Sequence, residues 1–311
     1  MFYKNSIKMS RLITKIKKGL KNPSMVLEKL FHALLIAVVK DDETYVKWDY
    51  WWGFGRFPDL KNPRTYNEKL CWLKLHAKRP EYTMMVDKYD AKEYVRGIIG
   101  EDYIIPSYGV WDRFEDINFD KLPNRFVLKT THDSGWVIIC KDKAKFNKKA
   151  AKKKVEESMK RSLFYIHREY PYKDLKPRII IEKLIEEEGC NSLKDYKFFC
   201  FDGKVKMLFI ATDRPVDTRF DFFDCDFNHL PFRQGHPLAS KPIEKPESFE
   251  EMIKMAEQLS KGIPHVRVDL YNINGKIYFG ELTFFHFGGI VPFKPKEWDY
   301  KIGEWLKLPN E

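Results

Sequence analysis

Apolar and polar positions alternate most clearly near the C-terminal end of the chain. Over residues 265–271, Val266, Val268 and Leu270 share one face of an extended segment, while Arg267 and Asp269 share the other. After Asn274-Gly275 the chain returns through residues 277–283 with Glu281 and Thr283 on a common face. This pattern predicts a hairpin whose turn decides its chemistry. In uninterrupted register, a two-residue Asn-Gly turn sets Asp269 opposite Gly280 and sends Glu281 to the wrong face. A three-residue turn, Ile273-Asn274-Gly275 with a left-handed glycine, sets Arg267 opposite Glu281 and Asp269 diagonal to it. The odd-length turn is the expectation, because two carboxylates and a guanidinium on one face can hold Mg²⁺ against phosphate oxygens. The plain alternative is an exposed hairpin with ordinary surface charges.

Upstream the period changes twice. Residues 1–45 read as one or two helices, followed by an aromatic patch over 47–58 (Trp48, Tyr50, Trp51, Trp52, Phe54, Phe57) that suits helix packing more often than sugar stacking. Thr65 and Glu68 form a capping box ahead of Leu70, Leu73 and Ala77, and Pro80 ends that helix. Another helix is predicted from Asp87 to the glycines at 97 and 100. From Asp102 extended segments take over: 103–106, then Phe126-Val127-Leu128-Lys129-Thr130, a polar loop 131–135, and a strand 136–140. A basic helix follows over 147–164. The run 178–185 is apolar apart from Arg178 at its start, Glu182 and Lys183, as in a strand buried on both faces, so Glu182 needs a partner. Residues 195–201 and 205–211 form a hairpin, 227–247 a long loop, and 248–259 a helix.

Charge and cysteine content narrow the classes. The 311 residues carry a net charge of +11, with seven cations and no acid in residues 1–24. No nucleic-acid motif or interleaved aromatics accompany the basic runs, which excludes nucleic acid as the expected partner; contact with an anionic membrane face through residues 1–24 stays open beside a solvated helix face. The apolar run 33–39 is too short to span a bilayer, which needs about 20 residues. Five widely spaced cysteines without metal-ligand spacing suit a reducing, cytosolic setting.

Single residues carry less. Lys129 and Lys197 interrupt or end apolar strands and could act as point charges on a triphosphate, although strand-end lysines are usually surface residues. Asp87-Lys88 could receive phosphate at a helix start or be a cap beside a solvated lysine. Ser134 and Gly135 place flap N–H groups where phosphate could approach. His132 and His286 sit where either could touch substrate; His236 and His265 read as structural. No Ser-His-Asp set and no full P-loop is present.

Taken in order, Asp87-Lys88, Lys129 with its polar flap, the Ile-Ile-Ile-Glu182 strand, Arg267-Val268-Asp269 and Glu281-x-Thr283 resemble an ATP-grasp enzyme. Thr65-x-Asn67-Glu68-Lys69, Asp195-Tyr196-Lys197-Phe198-Phe199 and Gly280-Glu281-Leu282-Thr283-Phe284 are more closely similar to the TupA-like ATP-grasp family of surface-polysaccharide biosynthesis, over roughly residues 60–308. The resemblance implies an α+β fold of two lobes around a nucleotide cleft, with a mainly helical N-terminal region. The expected divisions are 1–60, a lead-in at 61–125, a first lobe at 126–185 and a second at 186–311. It implies ATP and Mg²⁺ as cofactors. Lys88 and Lys129 would meet the nucleotide phosphates, the backbone of Lys183 and Leu184 after Glu182 would meet adenine, Asp195 would lie near the ribose, and Lys197 near the phosphates or adenine. Asp269, Glu281 and Thr283 would hold Mg²⁺, although asparagine is commoner where Thr283 stands, and Arg267 would stabilise the transferring phosphoryl group. Asp133 departs from a position where glycine is common. The implied reaction joins a small-molecule or glycan-linked carboxylate to an amine through an acyl phosphate, with Arg214 or Arg219 holding the acid. A glycosyltransferase using the same cleft is the alternative.

Overall fold

The computed structural model describes residues 23–187, 189 and 192–309; the basic segment 1–22 and Cys190 lie outside the described residues. The described chain opens with α1 (Pro23–Val38) and α2 (Asp42–Phe54). Asp41 starts α2 by accepting from Thr44 N at 2.7 Å. Most of the aromatic patch belongs to this helix, where buried Tyr50 stacks on Phe54 at 4.1 Å, so packing is its main use. Helix α3 (Tyr66–His76) carries both halves of the predicted capping box. That helix already stops at His76, with Ala77 as its C-cap, so Pro80 does not end it but opens α4 (Glu81–Val86), and the helix expected from Asp87 begins only at α5 (Ala91–Ile99).

The first lobe is an antiparallel sheet of β1 (Ser107–Trp111), β2 (Phe126–Thr130), β3 (Ile138–Cys140) and β4 (Ile179–Lys183), in the order β1-β4-β2-β3. Strand β4 lies between two neighbours, and Ile179, Ile180, Ile181 and Glu182 are all buried, as their unbroken apolar run demands. Phe126, Leu128, Ile179 and Ile181 share a core with Phe114, Phe119 and Val155. Strand β1 was not expected; it is a half-exposed edge strand interrupted by Gly109, and little alternation marks it. The basic helix expected over 147–164 is divided into α6 (Lys148–Ser158) and α7 (Leu163–His167). The break falls where Ser158 and Arg161 both reach Asp133, at 2.7 and 3.2 Å.

The second lobe holds β5 (Asp195–Phe201), β6 (Lys204–Thr212), β7 (Arg219–Phe223), β9 (His265–Ile273) and β10 (Lys276–Thr283), ordered β10-β9-β5-β6-β7. Helix α8 (Phe249–Leu259) buries Met252, Met255, Ala256 and Leu259 in a core shared with Phe198, Leu208 and Val268. The long loop over 227–247 contains the short β8 (Arg233–Gln234), which pairs with β11 (Phe293–Lys294). Helix α9 (Glu297–Trp305) packs on α3, where Asp299 accepts from Asn67 N and Nδ2 at 3.0 and 2.8 Å. Cys71, Cys140, Cys200 and Cys225 are free thiols.

The hairpin corrects the predicted turn. Lys276 pairs with Ile273, so the turn has two residues, Asn274 and Gly275, both with positive φ (52° and 83°). The register then shifts between Phe279 and Glu281: Phe279 faces Leu270, Gly280 is the extra residue of a bulge, and Glu281 faces Asp269. The odd residue needed to bring the two carboxylates together is present, but it lies in the strand.

Candidate active site

Three neighbouring strands set the floor of the site. Pairing aligns Lys197 (β5), Asp269 (β9) and Glu281 (β10) in one row across the sheet, and Phe199, Arg267 and Thr283 in the next. Arg267 is buried and grips Asp269 with both arms of its fork, Nε to Oδ1 and Nη2 to Oδ2, each at 2.7 Å. Its Nη2 also reaches Thr283 Oγ1 at 3.0 Å and Glu281 Oε1 at 3.3 Å. On the other side of the row, Lys197 bonds Asp269 and lies 2.7 Å from Asp195, whose carboxylate also takes Arg214. Arg214, Asp195, Lys197, Asp269, Arg267 and Glu281 thus form one continuous network of alternating charge.

His286 holds this network from behind. Its Nδ1 is 2.7 Å from Arg267 Nη1, which can only donate, so Nδ1 accepts and Nε2 carries the proton towards Gln234 Oε1 at 3.0 Å. Gln234 in turn donates to the Val291 carbonyl at 2.8 Å. Burial and the Arg267 charge push the His286 pKa well below its ordinary value, so the ring stays neutral. His286 is therefore not placed to touch substrate, because both ring nitrogens are engaged inside the protein. Gln234 escaped the sequence reading, since nothing in a proline-rich loop marks it. Burial works to raise Glu281, but Lys197, Lys88 and Arg267 outweigh it and hold the carboxyl at about 2. Burial pushes Asp269 up to about 6 against the pull of Arg267 and Lys197.

The first lobe supplies the facing cations. Lys129 lies 2.6 Å from Glu182 on the adjacent strand, and Lys92 of α5 approaches the other carboxylate oxygen at 2.7 Å. Lys92 was missed, since in sequence it is one more helical lysine; it is the second partner that lets a buried carboxylate sit in β4. Burial would raise Glu182, yet Lys129 and Lys92 hold it below its ordinary value. Lys88 donates to the Asp133 carbonyl at 2.6 Å, at the base of the flap, and burial holds its pKa below the ordinary value against the opposing pull of Glu281.

Asp133 does not face phosphate. Its carboxylate accepts from Ser134 N (2.9 Å), Trp136 Nε1 (3.0 Å) and Ser158 Oγ (2.7 Å), and only 4% of the residue is exposed. The acid fastens the base of the flap to α6, leaving Ser134 and Gly135 exposed at the tip. Two other assignments change. Arg219 spends its guanidinium on Asp217 and the Leu238 carbonyl, outside the network, so Arg214 is the arginine that the fold brings in. The Lys183 N–H already donates to the Pro106 carbonyl at 2.9 Å, so that donor is not available to a base, and Leu184 follows the strand end.

Asp269, Glu281 and the Thr283 hydroxyl form an all-oxygen donor set on one face, which fits a hard divalent cation such as Mg²⁺. Each donor is presently satisfied by Arg267 or Lys197, so a metal would compete with cations already held there.

The family model described as TupA-like ATPgrasp matches residues 68–307. The chain belongs to this family. No curated protein sequence matches it. Among solved structures, it is similar to D-alanine–D-alanine ligase from Bacillus anthracis complexed with ATP (20% identity, 65% of this chain and 54% of that chain, TM-score 0.38). It is also similar to the ATP-grasp ligase PsnB complexed with minimal precursor, Mg and ADP (12%, 70% and 57%, 0.37) and to D-alanine–D-alanine ligase from Helicobacter pylori (16%, 73% and 60%, 0.37). The TupA-like chain spans a little over half the length of these enzymes. Its architecture is the α+β ATP-grasp fold.

Proposed function

We propose that this TupA-like protein is an ATP- and Mg²⁺-dependent ligase that joins a carboxylate to an amine in the synthesis of a cell-surface polysaccharide. The observation that carries this reading is the Gly280 bulge, which sets Glu281 directly opposite Asp269 with Arg267 bonded to both. A hairpin with merely superficial charges has no reason to bury Arg267 and Asp269 beneath it. Mg²⁺ on those oxygens would neutralise phosphate charge. Lys88 and Lys129 orient the phosphates from the first lobe, and Arg267 faces the charge that develops as the γ-phosphoryl group passes to the substrate carboxylate. ADP leaves, the amine attacks the acyl carbonyl, and phosphate departs with the C–N bond formed. Arg214 would hold the acid by exchanging Asp195 for the substrate carboxylate, a role supported by its ion pair with Asp195 at the edge of the network.

Peripheral contact with the inner membrane face belongs to the same reading. It is supported by the outward face of α1, where Leu27, Leu30, Leu34 and Val38 are exposed, and by the cationic composition of residues 1–24, which lead into that helix in sequence. Among the described residues, no helix is long and apolar enough to cross a membrane.

The test is product balance with purified protein over panels of sugar acids, amino acids and amines, with hydroxylamine as a trap. One ADP and one phosphate per amide, and hydroxamate when hydroxylamine replaces the amine, are expected. UDP released from a sugar donor, with no ADP from any acid, contradicts the reading and indicates a glycosyltransferase.

A further inference from the structure

Away from the metal-site hairpin, a cavity of about 710 Å³ opens between the α1–α2 turn, the end of α3 and the segment around α7. Lys40, Lys78, Arg168, Lys173, Phe164 and Tyr165 are among its walls. Three acids also line it, but each is engaged: Asp41 caps α2, Glu43 pairs with Lys47 at 2.5 Å, and Asp42 lies 3.1 Å from Arg168 and 4.0 Å from Lys78. Among the described residues, Lys40 and Lys173 have no carboxylate partner.

Arg168 is the singular feature. Only 6% of it is exposed, its guanidinium lies 4.0 Å from the centre of the Tyr45 ring, and its backbone is left-handed (φ 54°). Nη2 reaches the Val39 carbonyl at 3.4 Å, but Nη1 is buried without any hydrogen-bond partner. A buried guanidinium with an unmet donor is costly unless an acceptor arrives. Lys173 stands beside it, with its Nζ 5.6 Å from the Phe164 ring centre, and more than half of Tyr165 is exposed. Cations next to an accessible aromatic ring suit a ligand with both a carboxylate and a flat apolar face.

We propose that this cavity binds a uronic acid unit of a glycan chain, with its carboxylate on Arg168 and Lys173 and its ring face on Tyr165. The inference rests on the polysaccharide reading and extends it: the unit bound here is distinct from the one whose carboxylate reacts. The segment from Phe164 to Lys173 separates the two places. Phe164, Tyr165, Arg168 and Lys173 line the cavity, while His167 of the same segment packs against Gly288, two residues beyond the His286 that holds Arg267. A polymer held in the cavity would thus be anchored close to the reacting centre.

The test is calorimetric titration of the full chain, without ATP, with trigalacturonate, maltotriose and inorganic phosphate. Trigalacturonate should bind and maltotriose should not. The doubly substituted Lys40→Gln/Lys173→Gln protein, altered only at exposed lysines, should bind trigalacturonate at least about tenfold more weakly. ADP release with a short soluble acid should be unchanged in that variant, so failure of the subsite and failure of the ligase reading give different results. Equal binding of maltotriose, unchanged affinity in the double variant, or phosphate binding at least as tight as the uronate would each overturn the proposal.

Discussion

Gly280→Ala is the smallest change that tests the strand bulge. A methyl group at 280 would lie 3.0 Å from the Asp269 carbonyl oxygen and 3.2 Å from Tyr271 Cε2, so one of them must yield by a few tenths of an ångström. Overpacking of this kind costs about 1–3 kcal/mol. The strain falls on the residue that carries a metal-site carboxylate, and misplacement by about 1 Å costs roughly 100-fold in rate, so a smaller shift should cost about tenfold. Gly275→Ala is the matched control: its φ is 83° with nothing within 4 Å, so it should lose about 1–2 kcal/mol of stability through the left-handed backbone alone. The assay is ADP release across a Mg²⁺ series, beside thermal unfolding of each variant. Gly280→Ala should lower kcat about tenfold and weaken the apparent Mg²⁺ affinity, whereas Gly275→Ala should lower Tm and keep kcat. Wild-type kcat and Mg²⁺ dependence in Gly280→Ala would refute the link between the bulge and the site.

Three further outcomes follow from the same geometry. Gln234→Leu removes the acceptor of the His286 N–H and should cost about 1–3 kcal/mol of stability; it should also lower kcat with KM for ATP little changed, whereas a purely structural role would leave kcat alone. Asp133→Asn weakens the bonds that tie the flap to α6 and should raise KM for ATP, measured by initial rates, and unchanged KM counts against the anchoring role. Burial holds His265 at about 3, below its ordinary 6.5, so the unfolded chain binds the extra proton between those values. Stability present above pH 6.5 is then lost as pH falls towards 3, by about 2 kcal/mol at pH 5. Denaturant unfolding of the wild type against His265→Gln checks this, and equal slopes with pH would contradict it.

Much of this was legible in the chain. The unbroken Ile-Ile-Ile-Glu182 run specified a doubly buried strand, and Thr65 with Glu68 specified a helix start, because both signals are local. The bulge was legible as well, in a signal attached to the wrong place. Along β10 the buried apolar positions are Ile277, Phe279 and Leu282, so strict alternation breaks at Gly280, where a strand glycine marks a bulge. Long-range partnerships were not legible. Lys92 meets Glu182 across 90 positions, Gln234 meets His286 across 52, and Asp133 turns inward because Ser158, at the end of the next helix, and Arg161, in the break after it, meet it. A charge pattern names candidates, whereas only packing decides which carboxylates face the cleft.

The central claim is that Asp269 and Glu281 act together as a metal site for phosphoryl transfer. The most direct measurement is the rate of ADP release by wild-type and Glu281→Gln protein over the same Mg²⁺ series, with folding of both confirmed by thermal unfolding. The account predicts an absolute Mg²⁺ requirement in the wild type and a loss of at least about 100-fold in the variant, as expected when a charge that stabilises the transition state is removed. ADP formed equally fast by the folded Glu281→Gln protein would contradict it.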